Sequence, residues 1–570
     1  MTNDDVSTIL RNIGYLIQIQ GDDSFRARIY DRAAEAIDTL AVDVTQLAEQ
    51  GTLRSIPGVG KTIEEKIIEM LETGRCKFYD NLIQEMGKEV LDLLAIRGVG
   101  VKTVGRFYRE IGVKSLSDLR TAIGDGKLKE MKRMGAKTIA SIDEGLRFVE
   151  EQKQVRPLWR ILGVAQAIFK ALENCAAIKH LDFTGELRRR EEMLRSIELI
   201  AACTNSEVIV EALEQVGGVD SPSVVNASGV SELHPHVTAT VDGGFPVRIY
   251  PFPATEYGTG LLLTTGDDEH VAKLNQIAEA RDLKPLPHSS IHSKTEADIY
   301  SELGLPFIVP ELRKHADSVD AALTGTLPSL IELSDIRGDL HMHTNWSDGR
   351  QSISEMVEAA KKSGRQYIAI TDHSESSRVA NGLTPERLLE QIKQVRDANA
   401  ETAGIQVLTG SEVDIRNDGS LDFSDDILAQ LDIVVASVHA GFSMNETEMT
   451  KRVIKAIENP FVKVIGHLTG RLLGQRPGYA INLDAVISAA AEHHVVLEIN
   501  ASPSRLDVDA DSARKAKECG VLLAINTDAH AISQLENMPF GINVARRGWL
   551  EKKNVINTYA LEVLRETLCF

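Results

Sequence analysis

Asp339-Leu340-His341-Met342-His343 closes a short apolar, β-prone run with two imidazoles, and Ser347-Asp348-Gly349 adds a carboxylate a few residues later. Histidines at i and i+2 on a strand point to one side, so His341 and His343 can grip a single ion. Six further runs of the same kind follow, at residues 366–373, 405–415, 433–439, 462–467, 495–500 and 521–530, alternating with helical segments. With residues 338–344 they make seven, the pattern of a β/α barrel or a wound sheet.

The carboxyl-terminal ends of these runs carry His341 and His343, His373, Glu412, His439, His467, Asn500, and finally Asp528 with His530. In a barrel those ends form the active-site face. With Asp348 the metal-ligand candidates are six histidines, two aspartates and one glutamate. One histidine at a strand end is ordinarily a hydrogen-bonded core residue; six of them are not explained that way. Nine ligands exceed what one ion uses, so two or three divalent metals are expected. Imidazole and carboxylate without thiolate suit manganese, zinc or iron and do not select among them.

Gly410-Ser411-Glu412-Val413-Asp414-Ile415, Ser437-Val438-His439, Thr469-Gly470-Arg471-Leu472-Leu473, Glu498-Ile499-Asn500-Ala501 and Asn526-Thr527-Asp528-Ala529-His530 resemble the polymerase-and-histidinol-phosphatase (PHP) domain. The form they resemble is the one fused to bacterial family-X DNA polymerases. Leu468 departs from the pattern, in which a proline is common after the histidine. The resemblance implies a distorted seven-stranded β/α barrel over residues 335–570 and catalysis centred on His341, His343, His373, His439 and Asp528. Arg471, Arg476 and Arg505 lie in loops after strands and are candidates to offer planar donors to phosphate, or else to pair with acids such as Asp507.

Upstream, residues 156–317 resemble the α+β nucleotidyltransferase-like palm and thumb of family-X polymerases, around Phe183-Thr184-Gly185-Glu186-Leu187-Arg188-Arg189-Arg190. The family holds two magnesium ions on an Asp-x-Asp and a third Asp. Here Ser196-Ile197-Glu198 stands in the first position and Arg248 in the last. Glu186 replaces a small serine, and Thr264-Thr265-Gly266-Asp267 stands where an aromatic residue and Thr-Gly-Ser are usual. A cation at a magnesium-ligand position opposes the metal, so polymerase chemistry is expected to be lost. Pro328 and a polar run through Ser334 read as a linker over 318–334.

Residues 1–155 read as helix after short helix. Leu53-Arg54-Ser55-Ile56-Pro57-Gly58-Val59-Gly60-Lys61-Thr62 and Leu93-Leu94-Ala95-Ile96-Arg97-Gly98-Val99-Gly100-Val101-Lys102-Thr103 repeat one turn, with a weaker copy at 131–139 where Gly135 stands alone. Glycines let the main chain approach closely, and their amides at a helix start face a phosphate beside a lysine. Gly58, Gly60, Lys61, Gly98, Gly100 and Lys102 resemble helix-hairpin-helix motifs, which grip DNA without reading its sequence. Such glycines also cap ordinary αα-hairpins, but the repeat and a basic stretch favour DNA. Ser24-Phe25-Arg26-Ala27-Arg28-Ile29-Tyr30 with Lys66 resembles the lyase-type domain of family X; a helix-face lysine is more often a solvated charge.

A net charge of −20 on 570 residues argues against a nucleic-acid partner until it is broken down. Residues 97–137 hold 11 Lys or Arg against 4 Asp or Glu, a local excess of +7. Length implies several domains. No apolar run is long enough to span a membrane, and the acidic start, Met1-Thr2-Asn3-Asp4-Asp5, is unlike a secretory signal. Five scattered cysteines without CxxC spacing point to a reducing, cytoplasmic setting. These features predict a cytoplasmic, monomeric, metal-dependent DNA phosphoesterase, a 3′-to-5′ exonuclease or 3′-end cleaner in repair, with room for other repair factors. The alternatives are a gap-filling family-X polymerase with exonuclease, or a non-catalytic DNA-end-binding protein.

Overall fold

The computed structural model describes residues 1, 3–21, 24–38, 40, 44–96, 98–225, 235–283 and 295–570. Arg97, in the second hairpin, lies outside them. The chain divides into two compact units, Met1–Gln154 and Val155–Phe570.

The first unit is helical. Helices Asn3–Gln20 and Ser24–Asp38 pack closely because Gly14 offers no side chain, and a Cβ there would meet Asp31 Oδ1 at 2.5 Å. Val6, Leu10, Ile13, Phe107, Leu119 and Leu146 are among its buried core residues. The two Gly-Val-Gly turns share one geometry. Gly58 (φ +88°) and Gly98 (φ +77°) make left-handed turns, and the Val59 and Val99 amides donate to the Ile56 and Ile96 carbonyls at 3.0 Å. Gly60 and Gly100 then precede helices Lys61–Thr73 and Val101–Ile111. The weaker copy folds alike: Arg133 takes the left-handed position at φ +64°, and helix Ala136–Lys153 starts after Gly135.

The second unit joins an α+β core to a barrel. The core sheet runs β1 (Leu181–Phe183), β2 (Ile197–Ala202), β3 (Asp220–Val225), β4 (His236–Val241) and β5 (Phe245–Phe252), in the spatial order β1-β2-β5-β4-β3. Only β2 and β5 pair in parallel. Their Ile, Leu and Val side chains bury against helices Leu158–Glu173 and Glu207–Glu214. Helices Tyr257–Thr265, Asp268–Glu279, Glu296–Glu302 and Asp317–Thr324 follow. Within the stretch read as a linker, Val319 and Ala322 are buried beside Leu262 and Leu274, and Ile331 belongs to the barrel core.

The barrel's strands are β6 (Gly338–Asp339), β7 (Tyr367–Ile370), β8 (Gln406–Asp414), β9 (Ile433–Ser437), β10 (Val464–Ile465), β11 (Val496–Asn500) and β12 (Leu523–Asn526). All seven are parallel and stand in sequence order. β6, β10 and β12 are shorter than the apolar runs that announce them. At β6 and β12 side chains replace ladder bonds: Asn526 Oδ1 accepts from the Leu340 amide at 3.0 Å, and Asp339 Oδ1 from the Thr527 amide at 3.2 Å. The circle is nearly closed by the ligand-bearing segments themselves, for the His343 amide donates to the Ala529 carbonyl at 2.8 Å and the Asp528 amide to the His341 carbonyl at 3.0 Å. Among the described residues no helix is long and apolar enough to cross a membrane.

Candidate metal centre

Because the strands are parallel, the residues at or just beyond their carboxyl ends meet over one mouth of the barrel. Glu412, fully buried near the end of β8, is the hub. Its Oε1 lies 2.9 Å from His467 Nε2 and 3.2 Å from His439 Nε2. Its Oε2 lies 3.0 Å from His373 Nδ1, 3.4 Å from His341 Nε2 and 3.6 Å from His343 Nε2. Asp528 Oδ1 stands 3.1 Å from His343 Nε2 and 3.5 Å from His341 Nε2. Asp348 completes the far side, 3.4 Å from His530 Nε2 and 3.6 Å from His373 Nε2. All nine expected ligands therefore fall in one cluster.

Three overlapping groups of ligand atoms fit a cation each: His341, His343, Glu412 and Asp528; His343, Asp348, His373 and His530; and His373, Glu412 and His439. Both Glu412 oxygens, His341 Nε2, His343 Nδ1 and His373 Nδ1 are buried without a hydrogen-bond partner. Polar atoms left so in a dry site are costly, and cations would satisfy them.

The electrostatics agree. Burial works hardest against a proton on His439, yet the Glu412 carboxylate and the hydrogen bond the ring donates to Asp414 outweigh it and raise the imidazole to about 10. His530 is raised to about 9, against burial, by Asp348 and Asp528. His343, buried and then crowded by His530 and His373, is lowered to about 3. Burial disfavours the Glu412 carboxylate, but His439, His341 and His373 hold it well below the usual range. Positive charge is what the acids demand, and divalent ions supply it with less crowding.

Outer residues orient these ligands. His341 Nδ1 meets Glu498 Oε1 at 2.7 Å, and Glu498 Oε2 accepts from the His467 amide at 2.8 Å. Asp414 Oδ1 takes His439 Nδ1, and Asn500 Nδ2 donates to Asp528 Oδ2 at 3.1 Å. Asp372 accepts from the Thr344 amide at 2.8 Å and from Gln391 Nε2 at 2.6 Å, fixing the loop to Asp348. Glu498 and Asp414 were not among the expected site residues. The i, i+2 rule that flags His341 and His343 finds both, at Glu412/Asp414 and Glu498/Asn500. Two of the candidate ligands sit in left-handed backbone, His467 at φ +24° and Asp528 at φ +52°, a strain usual at functional positions.

The arginines separate. Arg505 Nε lies 3.7 Å from Asp528 Oδ2 and faces the cluster. Arg476 lies 4.4 Å over the Phe442 ring and donates to the Gly470 carbonyl at 2.7 Å. Arg471, expected as a phosphate donor, is turned away: Nε donates to the Arg505 carbonyl at 3.0 Å, and Nη2 stands 3.1 Å from Glu192. Its donors are taken by backbone and a carboxylate of the core.

In the core sheet Ser196, Glu198 and Arg248 do converge. Ser196 Oγ donates to Glu198 Oε1 at 2.9 Å, and Arg248 Nη1 reaches the same oxygen at 3.2 Å. Glu186 accepts from the Arg195 amide and Nη1, each at 2.6 Å. In the first unit Gly58, Gly60, Lys61 and Gly98, Gly100, Lys102 form the two hairpin turns, while Lys66 Nζ lies 4.4 Å over the Phe78 ring.

Comparison with known proteins accords with this layout. The PHP domain model matches residues 339–502, a helix-hairpin-helix domain 1–76, a SAM-like helix-hairpin-helix tandem 90–147, and the DNA polymerase beta thumb 260–314. The chain is 35% identical over 570 residues to the DNA polymerase/3′-5′ exonuclease PolX of Bacillus subtilis (strain 168), spanning 99% of this chain and 98% of that one. A probable phosphatase of Thermoanaerobacter sp. (strain X514) is 33% identical over 231 residues, 39% of this chain and 89% of its own length. One of Proteus mirabilis (strain HI4320) is 31% identical over 236 residues, 40% of this chain and 91% of its own.

Proposed function

The chain belongs to the family-X DNA polymerases that end in a PHP domain, and from that premise we propose that it works as a metal-dependent DNA phosphoesterase, a 3′-to-5′ exonuclease or 3′-end cleaner in repair, without polymerase activity. The observation that carries this reading is the meeting of six imidazoles and two further carboxylates around Glu412. When bound, two or three divalent ions, manganese, zinc or iron, supply Lewis-acid charge and a water acidic enough to attack at neutral pH.

The residues divide the rest of the work. His341 and His343 are fully buried, whereas the side chains of His439, His530 and Asp348 are 23%, 31% and 33% exposed, so substrate meets the cluster on their side. Arg505, at the rim beside Asp528, presents planar donors to the phosphate. Glu498 and Asp414 keep His341 and His439 in fixed tautomers by accepting from Nδ1.

The hairpins hold the DNA, their Gly60 and Gly100 amides and Lys61 and Lys102 gripping backbone phosphates. Domains at 1–155, 156–317 and 335–570 accommodate this division, with 318–334 packed into the core and the barrel and not a free linker. Monomeric action in the cytoplasm, alongside other repair factors, suits the five unpaired cysteines.

The proposed loss of polymerisation rests on Arg248, which pairs with Glu198 at 3.2 Å where the resemblance to family X expects a magnesium carboxylate. A labelled single-stranded 3′ end, incubated with manganese and protein carrying His341→Ala or the native residue, tests the assignment: release by the native protein alone supports it.

A further inference from the structure

The loop after β11 that carries Arg505 is not shaped by the barrel alone. Arg471 donates to both the Arg505 and Leu506 carbonyls, and Leu506 stands in left-handed backbone at φ +45°. The Leu473 amide donates to the Ser504 carbonyl at 2.7 Å, so the segment after ligand His467 is clipped to this loop. Arg471 is the clasp. Its strongest counter-charge, ahead of Asp507 in the barrel, comes from the polymerase-like core: Glu192 Oε2 lies 3.1 Å from Arg471 Nη2, and Glu192 Oε1 accepts from Arg547 Nη2 at 2.7 Å. These side chains are 12%, 17% and 11% exposed, so their attraction is weakly screened.

We propose that Glu192 is a positioning residue of the phosphoesterase: through Arg471 it fixes the Arg505–Leu506 turn, and so the Arg505 guanidinium beside Asp528. The proposal rests on the phosphoesterase reading above. Without Glu192, the carboxylates left to act on Arg471 are the buried Asp507 and Asp509, the latter at 3.7 Å and 44% exposed. Arg471 then loses its strongest counter-charge, and its hold on the two carbonyls loosens. The core thus serves the barrel's chemistry even where its own metal position holds an arginine.

The experiment uses the full-length protein loaded with manganese and the variants Glu192→Ala, Glu192→Gln, Arg505→Ala and Glu192→Ala/Arg505→Ala. Amide hydrogen exchange over residues 501–509 should quicken in E192A and return toward the native rate in E192Q, which keeps an acceptor oxygen. The kcat for nucleotide release from a 3′-labelled single strand should fall about tenfold to a hundredfold in E192A, the scale of a mispositioned group. The double variant should be no slower than R505A, because Glu192 acts through Arg505. Unchanged exchange in that loop, or losses that multiply in the double variant, overturns the proposal. If E192A does not fold, the same comparison with Glu192→Ser and Glu192→Ser/Arg505→Ala, which remove the carboxylate but keep a small polar side chain, decides it. A native protein that releases no nucleotide defeats the phosphoesterase reading, and loop exchange, which needs no turnover, then decides the positioning role by the same criterion.

Discussion

Glu198 and Arg248 face each other across the parallel pair β2–β5, in matched register, with Arg248 Nη1 3.2 Å from Glu198 Oε1. A carboxylate on one strand and a guanidinium on its neighbour neutralise one another, and Ser196 Oγ shares the same oxygen. On the reading proposed above, this pairing takes up the carboxylate that two magnesium ions would need. Primer extension on a gapped duplex should therefore stay at background with magnesium or manganese, at protein concentrations where the 3′ strand is degraded. Robust extension by the native protein would show that the core catalyses despite this pair.

The metal centre should be part of the fold as well as of the chemistry. Stripping the protein with a chelator leaves Glu412 and its ring of imidazoles without cations, so the thermal midpoint should drop and manganese should restore it. Asp414→Asn and Glu498→Gln, which touch His439 and His341, should each weaken metal retention by roughly tenfold to a hundredfold. Metal content by elemental analysis after dialysis checks this.

The two hairpins separate stability from affinity. A Cβ at Gly58 would meet the Ala33 amide nitrogen at 2.9 Å, whereas at Gly98 it meets nothing within 4 Å. Both turns are left-handed, so Ala costs about 1 kcal/mol or more at either, and G58A should be the more destabilising in urea denaturation. Lys61→Ala and Lys102→Ala should instead leave stability alone and each lower the salt slope of DNA binding by about 1.

Glu296 ties the core's helices together, accepting from Arg188 Nη2 at 2.6 Å and pairing with the fully buried Arg313. Burial resists its ionisation, but the Arg188 hydrogen bond and both guanidiniums hold its carboxyl below the usual range. A carboxyl lowered in the folded state contributes stability that is complete above its unfolded value and is lost as pH falls through the folded one. Glu296→Gln should cost about 3–5 kcal/mol at neutral pH, and the gap from the native protein should narrow below about pH 4.5. Denaturant titrations at pH 7 and pH 4 compare the two.

What the sequence made legible was chemistry repeated at regular places. Histidines and acids ending seven apolar runs announced both the barrel and its ligands, because a parallel strand delivers its last residues to one face. Strand lengths were less legible: Asp339 and Asn526 bond the neighbouring backbone with their side chains, cutting β6 and β12 short of their apolar runs. For Arg471 the phosphate and ion-pair readings stay open in the sequence, because a loop arginine looks alike whether it meets phosphate or a carboxylate, and its partner Glu192 lies far away in sequence. The third hairpin was faint because Arg133 occupies the left-handed position that glycine marks in the other two.

The most direct test is a single gel. A 3′-labelled single strand and a gapped primer-template are each incubated with native, His341→Ala and Asp528→Ala protein, with manganese. The account predicts nucleotide release by the native protein, none by either variant, and extension by none of the three. Release that persists in both variants, or extension by the native protein, would contradict it.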